Sequence, residues 1–145
     1  MEFIMKTLIT AVALTLASFT SIAASVSFPD SLVVTGINGE KRFDAHQPQL
    51  ADGENLIQLR YHDIFEVNAD DSGAWVKSEP LYLLVDFQGQ QEYQAATPTI
   101  NTEDEAYDFI ENPIITLEDA QGKNKTVALL THQQLMAKVL LTRKN

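Results

Sequence analysis

In the stretch NLIQLRYHD, residues 55–63, Ile57, Leu59 and Tyr61 alternate with Gln58, Arg60 and His62. Period two places every second side chain on one face of a strand, so this segment needs a sheet with one dry face and one wet face. A helical bundle cannot use that pattern. A fully buried parallel sheet would replace it with a continuous apolar run.

Other segments share the strand pattern. In LYLLVDF, opened by Pro80, the residues Leu81, Leu83, Val85 and Phe87 fall on one face. Leu32–Ile37 is rich in Val and Thr, as strands are. Asn38-Gly39 follows it, and both residues tolerate the positive φ of a type I′ hairpin turn. A two-residue turn would return the chain through Glu40–Phe43 and set Val34 opposite Phe43. DAHQPQLADGE reads as a loop, VNADDSGAW as an acidic loop, and QEYQA as a strand returning after Gln88-Gly89-Gln90. IITL and KTVALL add two strands.

The period changes twice. Thr102 with Glu105 forms a capping-box pattern before the stripe Ala106, Phe109 and Ile110, and Pro113 ends that helix. Thr131 with Gln134 opens a second helix, with Leu135, Met136, Val139 and Leu140 on one side. The expected fold is mainly β (α+β): a small antiparallel β-sandwich with one short helix and a C-terminal helix.

The first quarter of the chain is of another kind. Lys6 precedes an uncharged apolar run from Leu8 to Phe19, followed by the small residues of TSIAAS. That is the layout of a secretory signal peptide, with cleavage expected after Ala23. The run is too short for a spanning helix, which needs ~20 residues. Translation from Met5 would give the more usual positive start. Residues 1–23 therefore read as signal peptide and 24–145 as a single domain, exported to the periplasm without stable membrane insertion after cleavage.

The chain of 145 residues has no cysteine and a formal charge of −10. The first fact excludes disulfides, thiolate metal sites and a lipid-anchored lipoprotein. The second opposes binding to nucleic acid and to anionic lipid surfaces.

Candidate chemistry is sparse. Asn68, Asp70, Ser72, Gly73 and Glu79 occupy positions 1, 3, 5, 6 and 12 of a calcium-loop pattern, but position 1 lacks a charge and the flanks are strand-like. His46, His62 and His132 lack zinc-site spacing. No Ser occupies a Gly-x-Ser-x-Gly elbow, and adjacent carboxylates such as Glu103-Asp104-Glu105 read as caps and solvated surface. No cofactor and no enzymatic activity are expected. Trp75 and Tyr82 are the candidate ligand- or partner-facing aromatics, while Tyr61 is in phase with the core.

Four stretches carry a resemblance: SLVVTGINGEKR, LADGENLIQLRY, VKSEPLYLLVDF and DEAYDFIENPIITLEDAQGK. In this order they resemble an exported proteobacterial family of largely uncharacterised proteins that includes the YccT inhibitor of curli assembly. The likeness runs from Ser25 to about Lys125, and its first two elements also look like small PEGA-type sandwich modules. Longer members continue beyond the point where this chain stops, at Asn145. The resemblance implies an exported, non-enzymatic protein and suggests binding to polypeptides such as fibre subunits; the hairpin with Val34, Asn38, Gly39 and Phe43 is a candidate edge for pairing with a growing strand. The alternative is a glycan- or ligand-binding module of the cell envelope using Trp75, Tyr82 and loop carboxylates.

Overall fold

The computed structural model describes residues 24–42, 47–66, 73–89 and 91–143. The expected signal segment lies outside them. Among the described residues ten strands and two helices follow in the order β1 (Ala24–Ser27), β2 (Leu32–Ile37), β3 (Glu40–Lys41), β4 (Gln49–Leu50), β5 (Gly53–Phe65), β6 (Ala74–Lys77), β7 (Leu81–Phe87), β8 (Gln91–Ala96), α1 (Glu103–Glu111), β9 (Ile114–Glu118), β10 (Asn124–Ala128) and α2 (His132–Thr142).

Strand β5 is the spine of one sheet. Its residues 57–61 pair with β2 on one side. On the other side Gly53–Leu59 pair with β7 and His62–Phe65 with β6. The second sheet has the order β10-β9-β8-β1-β4. Its β1–β8 pair is parallel, and the remaining pairs of both sheets are antiparallel.

The alternation anticipated for residues 55–63 is what joins the sheets. Ile57, Leu59 and Tyr61 are wholly buried, as are Val26 of β1 and Leu83 of β7. Together with Ala95, Ile115, Leu117 and Phe109 they form one continuous apolar cluster drawn from both sheets and α1. The Tyr61 ring lies 5.4 Å from that of Phe109. The Phe87 and Tyr93 rings, 5.0 Å apart, link β7 to β8 across the two sheets.

Several boundaries differ from the sequence reading. The stretch read as a loop before β5 contains β4, which pairs with β1. QEYQA does return as a strand, but not beside β7. The turn at Gly89, tied by its N–H to Asp52 Oδ1 at 3.2 Å, sends β8 into the other sheet; β7 pairs with β5 on one side, and on its other side Tyr82 exchanges two backbone hydrogen bonds with Leu130. The acidic loop ends earlier than expected, so Trp75 lies in β6 and not in a loop; backbone pairing with Ile64 and Asp63 extends that strand through Ala74–Lys77.

Of the two capping boxes, one is complete. Thr131 accepts from Gln134 N and the Gln134 side chain accepts from Thr131 N. At α1, Thr102 accepts from Glu105 N, but the Glu105 carboxylate reaches one residue further back and accepts from Asn101 N at 2.6 Å. Ala106 and Phe109 face the core, as their spacing predicts.

Helix α2 is the larger departure. Of its expected apolar side only Leu135 is buried; Met136, Val139, Leu140 and Leu141 remain exposed. The helix lies beside the outer face of β7, where a groove of about 480 Å³ is bordered by Glu54, Asp86, Val139 and Arg143.

Candidate binding surfaces

The hairpin of β2 and β3 has the register expected of a two-residue turn, with Ile37 opposite Glu40 and Gly36 opposite Lys41. Asn38 and Gly39 have φ of 51° and 85°, the pair of positive values a type I′ turn requires. Arg42 N donates to Thr35 O, continuing the ladder. Phe43 lies outside the described residues, and Val34 is buried opposite Leu59.

Asn38 does more than tolerate its φ. Its Nδ2 donates to Asn55 Oδ1 at 3.1 Å, and its Oδ1 accepts from Leu56 N at 2.8 Å. Asn55 is buried and donates to the carbonyls of Ala51 and Gly53. The turn is thereby clamped to the entry of β5. Sequence spacing gave no hint of this, since the two asparagines are 17 residues apart.

The hairpin stands at the outer end of its sheet, as β3 is terminal in the order β3-β2-β5-β6. The edge it offers is two residues long, and both are charged and exposed. Short, charged edges resist strand addition. The other sheet ends in β10, five residues long and exposed at all positions except the half-buried Val127. Leu129 N donates to Pro113 O and Asp119 N to Lys123 O. Hydrogen-bonded pairs alternate along an antiparallel ladder, so Asn124, Thr126 and Ala128 direct their backbone groups away from β9. KTVALL is recognisable as a strand in the sequence; its place at a sheet end is not, because that depends on where β8 and β1 pair.

The wet face of β5 carries the candidate aromatics. His62 stacks on Trp75, with ring centroids 4.6 Å apart and planes 15° from parallel. Trp75 is 55% exposed. Tyr82 lies on the same face opposite Gln58, whereas Trp75 lies opposite Ile64. Six residues of strand separate these positions, roughly 20 Å, so the two rings do not converge on one pocket. Tyr82 instead borders a shallow groove of about 530 Å³ with Arg60, Gln58 and the hairpin residues Gly36, Glu40 and Lys41.

Of the calcium-loop pattern, Asn68, Asp70 and Ser72 lie outside the described residues. Gly73 has φ of 84°, and a Cβ there would fall 2.8 Å from the Ile64 side chain, so packing and backbone angle account for this glycine. His46 is also outside the described residues; His62 and His132 sit beside Trp75 and Tyr82 respectively. Among the described residues no cluster of three His, Asp or Glu side chains is arranged to hold a metal. No helix among them is long and apolar enough to cross a membrane.

Residues 25–144 match the family described as "Uncharacterized protein conserved in bacteria (DUF2057)". The chain belongs to this family. Two relatives described as UPF0319 protein are similar to it. One, from Shewanella baltica (strain OS223), is 30% identical over 109 residues, covering 70% of this chain and 47% of the relative. The other, from Shewanella oneidensis, is 29% identical over 105 residues, covering 68% and 46%. The chain thus spans about half the length of the curated relatives it matches. No solved structure matches it. The matched span of the DUF2057 family takes in every described strand from β2 to β10 and both helices up to Thr142.

Proposed function

We propose that this member of the DUF2057 family is an exported, non-enzymatic protein that binds polypeptides in extended form and limits their assembly into extracellular fibres. The observation that carries this reading is the open outer side of β10, where Asn124, Thr126 and Ala128 present backbone donors and acceptors to an incoming strand. The formal charge of −10 supports the second half, since a bound acidic molecule repels further copies and stops stacking. The sequence resemblance to the family of the YccT curli inhibitor points the same way. Periplasmic export rests on the leader-like first 23 residues.

The test mixes the purified protein with an amyloid-forming fibre subunit and follows dye fluorescence. A lengthened lag is expected at equimolar ratio. Thr126→Pro removes one outward N–H without touching the β9 ladder, and should shorten the lag again. An unchanged lag with the unmodified protein sinks the proposal; a lag indifferent to Thr126→Pro removes β10 from it.

A further inference from the structure

The wet face of the β5 sheet holds a feature that strand capture at β10 does not use. The chain has 20 Asp and Glu against 10 Lys and Arg. Yet Arg60, His62 and Lys77 lie together on this face: His62 is directly opposite Lys77, and Arg60 is two residues from His62 on the same strand. Trp75, two residues before Lys77, covers His62 from the side. Among the described residues no carboxylate is within ion-pair distance of Arg60 or Lys77; the ion pair found there joins Arg42 to Glu40 at the hairpin. Asp63, adjacent in sequence, is engaged elsewhere, its Oδ1 accepting from Ile64 N and its Oδ2 facing the Tyr61 hydroxyl. Arg60 also borders the groove that contains Tyr82, Lys41 and Glu40, the last of which is paired with Arg42. The result is a strip along β5, roughly 20 Å long, with an aromatic ring at each end and cations between.

We infer that this strip binds a carboxylated polysaccharide. The charge complementarity is local: an anionic chain meets Arg60 and Lys77 here, neither paired with a carboxylate among the described residues, against a chain of net charge −10. Arg60 offers a planar fork matched to a carboxylate. The exposed Trp75 indole, held in place by His62, offers a flat apolar platform for the carbon-bound hydrogens of a sugar ring. An acidic peptide satisfies the cations but has no use for the platform, and a neutral glucan satisfies the platform but not the cations. The inference does not depend on strand binding at β10, which lies in the other sheet.

Calorimetric titration of the chain with polygalacturonate, dextran and poly-L-glutamate at low salt is the test. Binding to polygalacturonate and not to dextran is expected. Trp75→Ala and Arg60→Gln should each weaken it about tenfold, the scale of one well-placed contact of ~1.4 kcal/mol. Lys123→Gln, in the other sheet, should leave it unchanged. All three side chains are exposed, so melting temperatures should match the parent. Absence of polygalacturonate binding overturns the inference. So does poly-L-glutamate binding of equal strength with no effect of Trp75→Ala, which would make the strip a peptide site.

Discussion

Asn38 is at once a turn residue and a cross-strand clamp. Replacing it by Ala removes both of its side-chain hydrogen bonds to β5, though not the one from its backbone N–H to Leu56 O, and leaves the buried Asn55 Oδ1 without its donor. A loss of about 2–4 kcal/mol is expected, combining an orphaned buried acceptor with a left-handed backbone that Ala resists. Asn38→Gly restores the backbone but not the bonds, so its urea midpoint should fall between those of the parent and Asn38→Ala. Ser78 is a second such residue. Its hydroxyl accepts from Tyr61 N at 2.8 Å and donates to Glu79 O, bridging the gap where β6 gives way to β7 alongside β5. Ser78→Ala strands a buried N–H and should cost about 1–3 kcal/mol in denaturant melts. The Tyr61 hydroxyl is pushed up to about 12 by burial and then by the neighbouring Asp63 charge. The unfolded chain releases that proton near pH 10. Between these values the unfolded state holds fewer protons, so stability falls as pH rises through this window. Tyr93 is raised too, by burial and then by Asp119, with the same sign. Urea melts at alkaline pH should therefore show a shallower decline for Tyr61→Phe than for the parent, and an equal decline would contradict the burial.

At the scale of elements, the helices show what periodicity can and cannot say. The i, i+3, i+4 stripe of α1 does enter the core, where Phe109 meets Tyr61. The similar stripe of α2 predicts burial of four side chains and obtains one, because the helix follows the last strand and rests by one side on β7. Leu135→Ala should cost about 2–5 kcal/mol. Leu141→Ala, at 68% exposure, should stay within about 0.5 kcal/mol. Thermal melts of the two variants make the comparison direct. The strands divide likewise. The faces of β5 and β7 were legible because alternation depends only on the local backbone. The positions of β4, β8 and β10 were not, because they depend on partners far along the chain: β8 lies between β1 and β9 and leaves β7 to β5. For the candidate surfaces the same holds. Trp75 was recognisable as an exposed aromatic, but the stacking on His62 and the company of Lys77 arise from the register of β5 with β6.

Among the described residues both sheets feed one apolar cluster, and neither has a separate core of its own. Unfolding should be a single cooperative transition, with near-ultraviolet signals from Trp75 and far-ultraviolet signals from the backbone superimposing in urea. Two separated transitions would show that the sheets fold apart. Charge and shape then bear on partners at this same scale. The open side of β10 on one sheet and the cationic strip on the other are separate surfaces, so the two proposals can fail independently. The parallel pairing of β1 with β8 has a consequence in time. Ala24–Ser27 leave the ribosome, or any translocation pore, before the other described strands, yet Val26 finds its neighbour Tyr93 only when nearly half of the chain has followed. Distant pairings are slow to close. The second sheet is therefore completed late: β4 can take one side of β1 early, but the other side stays open until β8 arrives.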